Sequence, residues 1–284
     1  MAVSAAPPFL SRRSRDLYQV VYDLIPDRKQ GGRLVFVTGK QGAGKTTLLA
    51  HITHLLHKHG VQIFWRGRAK GHVFQFLRIP IVVLIHRELD VRPFAVYETH
   101  FKPLSWQDLG IVHVDNFADP IELEDLGVTY RGHALVIFMP RDAWIDWLTI
   151  LADERKYAYW MGVFIDEFGQ IAPEHPKGKE LWQRLNDMAD SIAEFRKNDI
   201  YLIVASQQPS DVFWKIRKKF QYRAVLPGTQ VEDALRLSQK AVDNLTLGFG
   251  YMVSGFFQLF KFPEIEPKLP FDIKIRASGT KVRF

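Results

Sequence analysis

Apolar residues along this chain gather in short, continuous runs. Leu34 to Thr38, Val61 to Trp65, Ile79 to Ile85, His133 to Met139, Trp160 to Asp166, Ile200 to Ser206, Tyr222 to Leu226 and Tyr251 to Phe262 are of this kind. A strand buried on both faces shows no period of two, so runs of this length predict strands of a largely parallel sheet. Helical patterns separate most of them, including the stretch from Gly44 to Gly60, Leu181 to Lys197 and Glu232 to Asn244. This alternation predicts an α/β fold, a mostly parallel central sheet with helices on both faces. Ahead of the first run stand Pro7, Pro8, the basic cluster Arg12, Arg13 and Arg15, and an amphipathic stretch from Leu17 to Ile25. Residues 1–30 therefore read as an N-terminal arm with a short helix, and 31–284 as the main domain, with an elaboration at about 66–140.

Composition narrows this picture. A chain of 284 residues, 47% of them hydrophobic, can bury a full core without staples. The absence of cysteine excludes a disulfide framework, thiolate zinc sites, iron–sulfur clusters and thiol catalysis. No run approaches the 18 or so apolar residues of a spanning helix, and the first residues lack the pattern of a secretory signal, so a soluble, cytoplasmic protein is expected. The formal charge of +7 favours an anionic partner. That charge is uneven: Leu34 to Arg78 holds seven Lys and Arg and no acid, whereas Val114 to Gly127 holds five acids and no Lys or Arg.

Gly39-Lys40-Gln41-Gly42-Ala43-Gly44-Lys45-Thr46, followed by Thr47, lies between an apolar run and a helical pattern and matches a phosphate-binding loop. Glycines there let backbone N–H groups turn towards phosphate oxygens at a helix N-terminus. Lys45 is expected to reach the β- and γ-phosphates of ATP, and the Thr46 hydroxyl to ligate Mg²⁺. A second apolar run ends in Asp166-Glu167, which suits Asp166 to the metal and Glu167 to activating the attacking water. The third element is Ile200 to Ser206 with Gln207, Gln208 and Pro209 at its end; if its strand lies between the other two, Gln207 points at the γ-phosphate.

At these three places the chain resembles the HerA/FtsK superfamily of P-loop ATPases, of the additional-strand, RecA-like class. Ala205-Ser206-Gln207-Gln208-Pro209 is similar to that superfamily's A-T-Q-R-P signature. Phe195 to Ile200 resembles its helix-to-strand entry, and Gly248 to Gly255 its last glycine turn and strand. The resemblance covers Leu34 to Trp65 and Met161 to Phe262. It implies a RecA-like P-loop NTPase that hydrolyses ATP with Mg²⁺, assembles with copies of itself into rings, usually hexamers, and translocates double-stranded DNA. It also implies an arginine supplied by a neighbour, for which Arg196, Arg217 and Arg223 are candidates and Arg223 is preferred. Length and the lack of membrane helices make the genome-packaging ATPases of double-jelly-roll viruses the nearest type. That type would place the protein in host cytoplasm or on the virion, with capsid or virion membrane proteins as further partners. Asn198 to Gln208 also resembles the Zot-like assembly ATPases of filamentous phages, which normally continue into a transmembrane helix, and a DNA-processing HerA-like translocase is a further alternative.

Two basic segments are candidates for DNA contact. Asp211 to Arg223 interleaves five basic residues with aromatics, which suits phosphate contacts by Lys215, Lys218 and Lys219 with Trp214 packed inside, or a plain amphipathic helix. Arg66 to His72 reads as a basic, glycine-flexible loop, either touching DNA or merely solvated. His51, His54, His57 and His59 crowd one helix and read as its exposed face, with no acid or cysteine nearby to complete a metal site.

Overall fold

The computed structural model describes residues 15–21, 24–25, 31–97, 100–111, 113–152 and 159–278, so most of the N-terminal arm, including Pro7, Pro8, Arg12 and Arg13, lies outside the described residues. In chain order the first elements are β1 (Arg15–Asp16), α1 (Leu17–Val20), β2 (Leu34–Thr38), α2 (Lys45–Lys58), β3 (Gln62–Arg66) and α3 (His72–Phe76). There follow β4 (Ile81–His86), β5 (Asp90–Val96), β6 (Phe101–Pro103), β7 (His113–Phe117), α4 (Glu122–Thr129), β8 (Ala134–Phe138) and α5 (Arg141–Ile150). The last part holds β9 (Met161–Ile165), α6 (Lys179–Glu194), β10 (Ile200–Ser206), α7 (Trp214–Arg217), β11 (Tyr222–Val225), α8 (Gln239–Asp243), β12 (Phe249–Val253), β13 (Phe257–Lys261) and β14 (Asp272–Ser278).

Eleven strands form one sheet in the order β1-β13-β12-β11-β2-β10-β9-β3-β8-β4-β7. Within it only β12 runs against its neighbours, so the sheet is mostly parallel, as the apolar runs predict. Every residue of β2, β3, β4, β8, β9 and β10 is buried. Alternate residues of each strand feed two separate cores. Val35, Val37, Tyr201, Ile203 and Ala205 pack with Leu48, Leu49 and Ile52 of α2. Leu34, Phe36, Leu202 and Val204 pack with Trp144 and Trp147 of α5 and with Leu185, Met188 and Ile192 of α6. Helices thus cover both faces, and each fully buried aliphatic side chain of the central strands contributes about 1.5–3 kcal/mol.

Two local expectations are corrected. Tyr251 to Phe262 is a hairpin of β12 and β13, because Gly255 at φ +83° supplies the turn between them. Glu232 to Asn244 is not one helix: a single 3₁₀ turn at Asp233–Leu235 ends at Arg236 in the left-handed region, and only α8 follows. The short helix expected ahead of the first run is α1, whose four residues open the stretch from Leu17. Residues 66–140 supply three parallel strands of the main sheet, β4, β7 and β8, while β5 and β6 join β14 in a separate antiparallel sheet.

Candidate active site

The order β2-β10-β9 inserts one strand between the strand that leads into the glycine loop and the strand that ends in the two acids. Ser206 pairs with Thr38, and Val204 with Ile165, so the three strands end together. Ligands of open parallel sheets bind at such carboxyl ends. Leaving β2, the chain turns through Gly42 at φ +78° and Gly44 at φ +89°, where only glycine is unstrained. Gly39 is needed for another reason, since a Cβ there would lie 2.8 Å from that of Leu226. The loop is pinned from below: Gly39 N–H donates to the Gln207 carbonyl at 3.2 Å and Lys40 N–H to that of Pro227 at 3.0 Å. Helix α2 then starts at Lys45 and projects Lys45, Thr46 and Thr47 from its first turn.

Lys45 Nζ donates to the carbonyls of Gly39 and Lys40 at 2.7 and 3.0 Å. Burial pushes the Lys45 ammonium below its ordinary pKa, and the nearby Asp166 and Glu167 carboxylates oppose this. The Thr46 hydroxyl donates to Asp166 Oδ2 at 2.9 Å, across 120 residues of sequence. Asp166 is buried at the end of β9. Glu167 follows in the left-handed region at φ +53°, a conformation that costs a non-glycine residue about 1–2 kcal/mol. Hydrogen bonds fix it there: its N–H donates to Asp166 Oδ1 at 2.9 Å, and its carboxylate accepts from Gln170 Nε2. Thr46 and Asp166 thus present two hard oxygens side by side, a donor set that fits Mg²⁺.

Lys45, Thr46, Asp166 and Glu167 are brought together; the other predicted residues stand differently. The Gln207 side chain is exposed at the end of β10, while its carbonyl holds Gly39. Gln208 has a structural part, bonding the Gly228 carbonyl at 2.9 Å and the Gln230 N–H at 2.7 Å. Arg223 is engaged elsewhere: its guanidinium pairs with Glu232 at 3.4 Å, donates to the Arg217 carbonyl and covers the Phe36 ring at 5.2 Å. Arg217 shares Glu232 at 3.2 Å and donates to the Pro209 carbonyl at 2.8 Å. Arg196 is exposed at the opposite end of β10 from Gln207.

The loop after β3 corrects a further expectation. Arg66 to His72 is folded against the site. Arg66 is only 2% exposed, and its guanidinium donates to the Asp166 carbonyl and to Gln170 Oε1, each at 3.3 Å. Burial lowers its pKa to about 10, which leaves it charged at neutral pH. Arg68 pairs with Asp166 at 3.2 Å and, more closely, with Glu167. Sequence reasoning missed Arg66, Arg68 and Gln170. The available signal was the seven-cation, acid-free stretch, which leaves cations to be neutralised by acids from elsewhere.

Two more expectations change. Trp214 is 41% exposed rather than packed inside, and Lys215 sits over both Trp182 and Trp214 with Lys218 over Trp214 at 4.6 Å. The histidines of α2 are mostly docked: His51 Nε2 lies 2.8 Å from the Pro263 carbonyl, His57 Nε2 2.9 Å from that of Gly132, and His54 Nε2 accepts from Arg78 N–H at 2.8 Å, which leaves His59 exposed. Among the described residues no cluster of three or more metal-ligating side chains occurs, and no helix is long and apolar enough to cross a membrane.

Solved structures share this fold. The bacterial conjugative coupling protein TrwBdeltaN70 superposes with a TM-score of 0.56 at 14% identity, over 91% of this chain and 94% of that one. The plasmid coupling protein TrwB in complex with ADP and Mg²⁺ gives 0.54 at 13% identity, over 91% and 95%. The genome packaging NTPase B204 from Sulfolobus turreted icosahedral virus 2 in complex with sulfate gives 0.49 at 14% identity, over 83% and 98%. No protein-family model matches the sequence, and no curated protein matches it. At these identities the likeness to the two coupling-protein structures establishes the fold, that of a P-loop NTPase with a mostly parallel sheet.

Proposed function

We propose that this chain is an ATP-hydrolysing motor that works as a ring of copies and moves double-stranded DNA, with packaging of a viral or mobile-element genome as its task. The observation that carries the ATPase reading is the Thr46–Asp166 hydrogen bond beside Glu167, with β10 between their strands. Loop N–H groups and Lys45 bind the phosphates. Thr46 and Asp166 would hold Mg²⁺, which when bound would offset phosphate charge. Glu167 accepts the proton of the water that attacks the terminal phosphorus, and Gln207, at the exposed end of the intervening strand, senses the γ-phosphate and its loss. Arg223 is the arginine offered to the neighbouring copy's site, which requires it to give up Glu232.

The DNA reading draws on the net charge of +7 and on the fold shared with coupling proteins. Lys215 and Lys218, over the exposed rings of Trp182 and Trp214, together with Lys219 form the candidate backbone contact. A motor indifferent to sequence needs phosphate contacts and no base readout. ATP turnover with and without linear duplex DNA at low salt tests both parts. Stimulation by duplex, lost as salt rises, and loss of turnover of about 100-fold or more in Glu167→Gln are expected. Turnover in Glu167→Gln equal to wild type refutes the base; turnover indifferent to duplex refutes the motor and favours a nucleotide-dependent assembly or export ATPase.

A further inference from the structure

Asp166 Oδ2 is shared. It accepts the Thr46 hydroxyl at 2.9 Å and lies 3.2 Å from Nη1 of Arg68, whose Nη2 pairs with Glu167. The guanidinium therefore occupies the carboxylate on which a divalent ion held by Thr46 and Asp166 would depend. Two cations gathered at one carboxylate repel each other. Arg68 is not borne on a free loop: Gly67 N–H donates to the Ile137 carbonyl at 2.7 Å, Ile275 N–H to that of Ala69 at 2.8 Å, and Gly71 N–H to that of Ile273 at 2.9 Å. Backbone on both sides of residue 68 is thus tied down, to β8 on one side and β14 on the other. An exposed ion pair held by a mobile chain contributes little. This side chain is only 13% exposed and its backbone is fixed.

We propose that Arg68 is a resident cation that competes with the divalent metal for Asp166 and keeps Glu167 paired until metal and nucleotide load. The proposal rests on the nucleotide reading above. One guanidinium holds both acids, so its displacement from Asp166 also loosens its hold on Glu167. The base thereby becomes available in step with metal binding. Arg66 does not take over, since it is committed to the Asp166 carbonyl and to Gln170, and Lys45 turns from the loop carbonyls to the phosphates when nucleotide loads.

The test is a Mn²⁺ titration of the full chain with saturating ADP, following free Mn²⁺ by electron paramagnetic resonance, for wild type, Arg68→Gln and Arg68→Lys. ADP binding in EDTA is measured in parallel by calorimetry. Arg68→Gln should reach half-saturation at about tenfold lower Mn²⁺, the effect of removing one charge-assisted hydrogen bond. Arg68→Lys, with a single point charge in place of the two-pronged guanidinium, should fall between the two. ADP affinity in EDTA should stay within about twofold of wild type, because the bond removed holds metal rather than phosphate. If ADP binds and neither variant gains Mn²⁺ affinity, the competition is refuted and Arg68 merely braces the acids. Failure of wild type to bind ADP in either condition refutes the nucleotide reading, and this proposal with it. Should Arg68→Gln fail to fold, Arg68→Lys decides alone: a severalfold gain supports the competition and no gain overturns it.

Discussion

Acidification should unfold this protein partly through one histidine of α2. His54 is half-buried, and its Nε2 accepts the Arg78 N–H at 2.8 Å, a bond that only the neutral ring can make. Burial, reinforced by His51, Lys268, Arg78 and His57, lowers its pKa from 6.5 to about 4. Above pH 6.5 the ring is neutral in both the folded and the unfolded chain, and His54 adds no pH dependence. Below pH 6.5 the unfolded chain takes up a proton that the folded chain refuses until about pH 4, so stability falls as pH falls through that window. At pH 5 the full linkage would amount to about 2 kcal/mol at 1.36 kcal/mol per pH unit. Solvent reaches part of the ring, and halving for screening leaves about 1 kcal/mol. Urea unfolding at pH 7.5 and pH 5 of wild type and His54→Gln measures this difference, because the glutamine oxygen can still accept from Arg78 without titrating. Every other titrating group is common to both chains. Wild type should lose about 1 kcal/mol more than the variant on acidification, and equal losses would refute the docked, neutral histidine.

Two other predictions use simpler readouts. A methyl group on Gly127, in α4, would lie 2.6 Å from the Phe64 ring and 2.8 Å from the Tyr159 hydroxyl, so Gly127→Ala should lower stability by about 1–3 kcal/mol in urea. An unchanged midpoint would show that α4 can lift off the sheet. Lys218→Gln, on the patch beside Trp214, should weaken duplex binding and reduce the slope of log affinity against log salt by about one. A slope identical to wild type would place the DNA elsewhere on the surface.

The parts of the fold that could be read in the sequence are those whose signal is continuous and local. The runs forming β2, β9 and β10 are buried from end to end, so their burial is visible in composition alone. The hairpin of β12 and β13 was hidden because apolar residues flank its turn on both sides, and only Gly255 marks the reversal. The stretch before α8 misleads in the opposite way. Its helical spacing is real, but Gln239 spends its side chain on the Val231 N–H and the Thr229 carbonyl, which fixes a loop across the positions a longer helix would occupy.

The candidate site divides along the same line. Gly39 to Thr46 and Asp166-Glu167 are each local signatures, and the structure brings them within a hydrogen bond of each other. Arg66, Arg68 and the histidines of α2 look like solvated surface because their partners are far along the chain. Arg68 meets acids about a hundred positions later, and His51 meets the Pro263 carbonyl 212 residues away. A charged side chain in isolation reads as exposed, since burial without a partner costs several kcal/mol. That cost turns the error into a rule for this chain. Between Leu34 and Arg78 the local sequence has no acid to neutralise seven cations. Arg68 settles on the carboxylates of Asp166 and Glu167 at the end of β9, and Arg66 on the Asp166 backbone carbonyl and Gln170, so the cationic stretch is folded onto the acidic strand end.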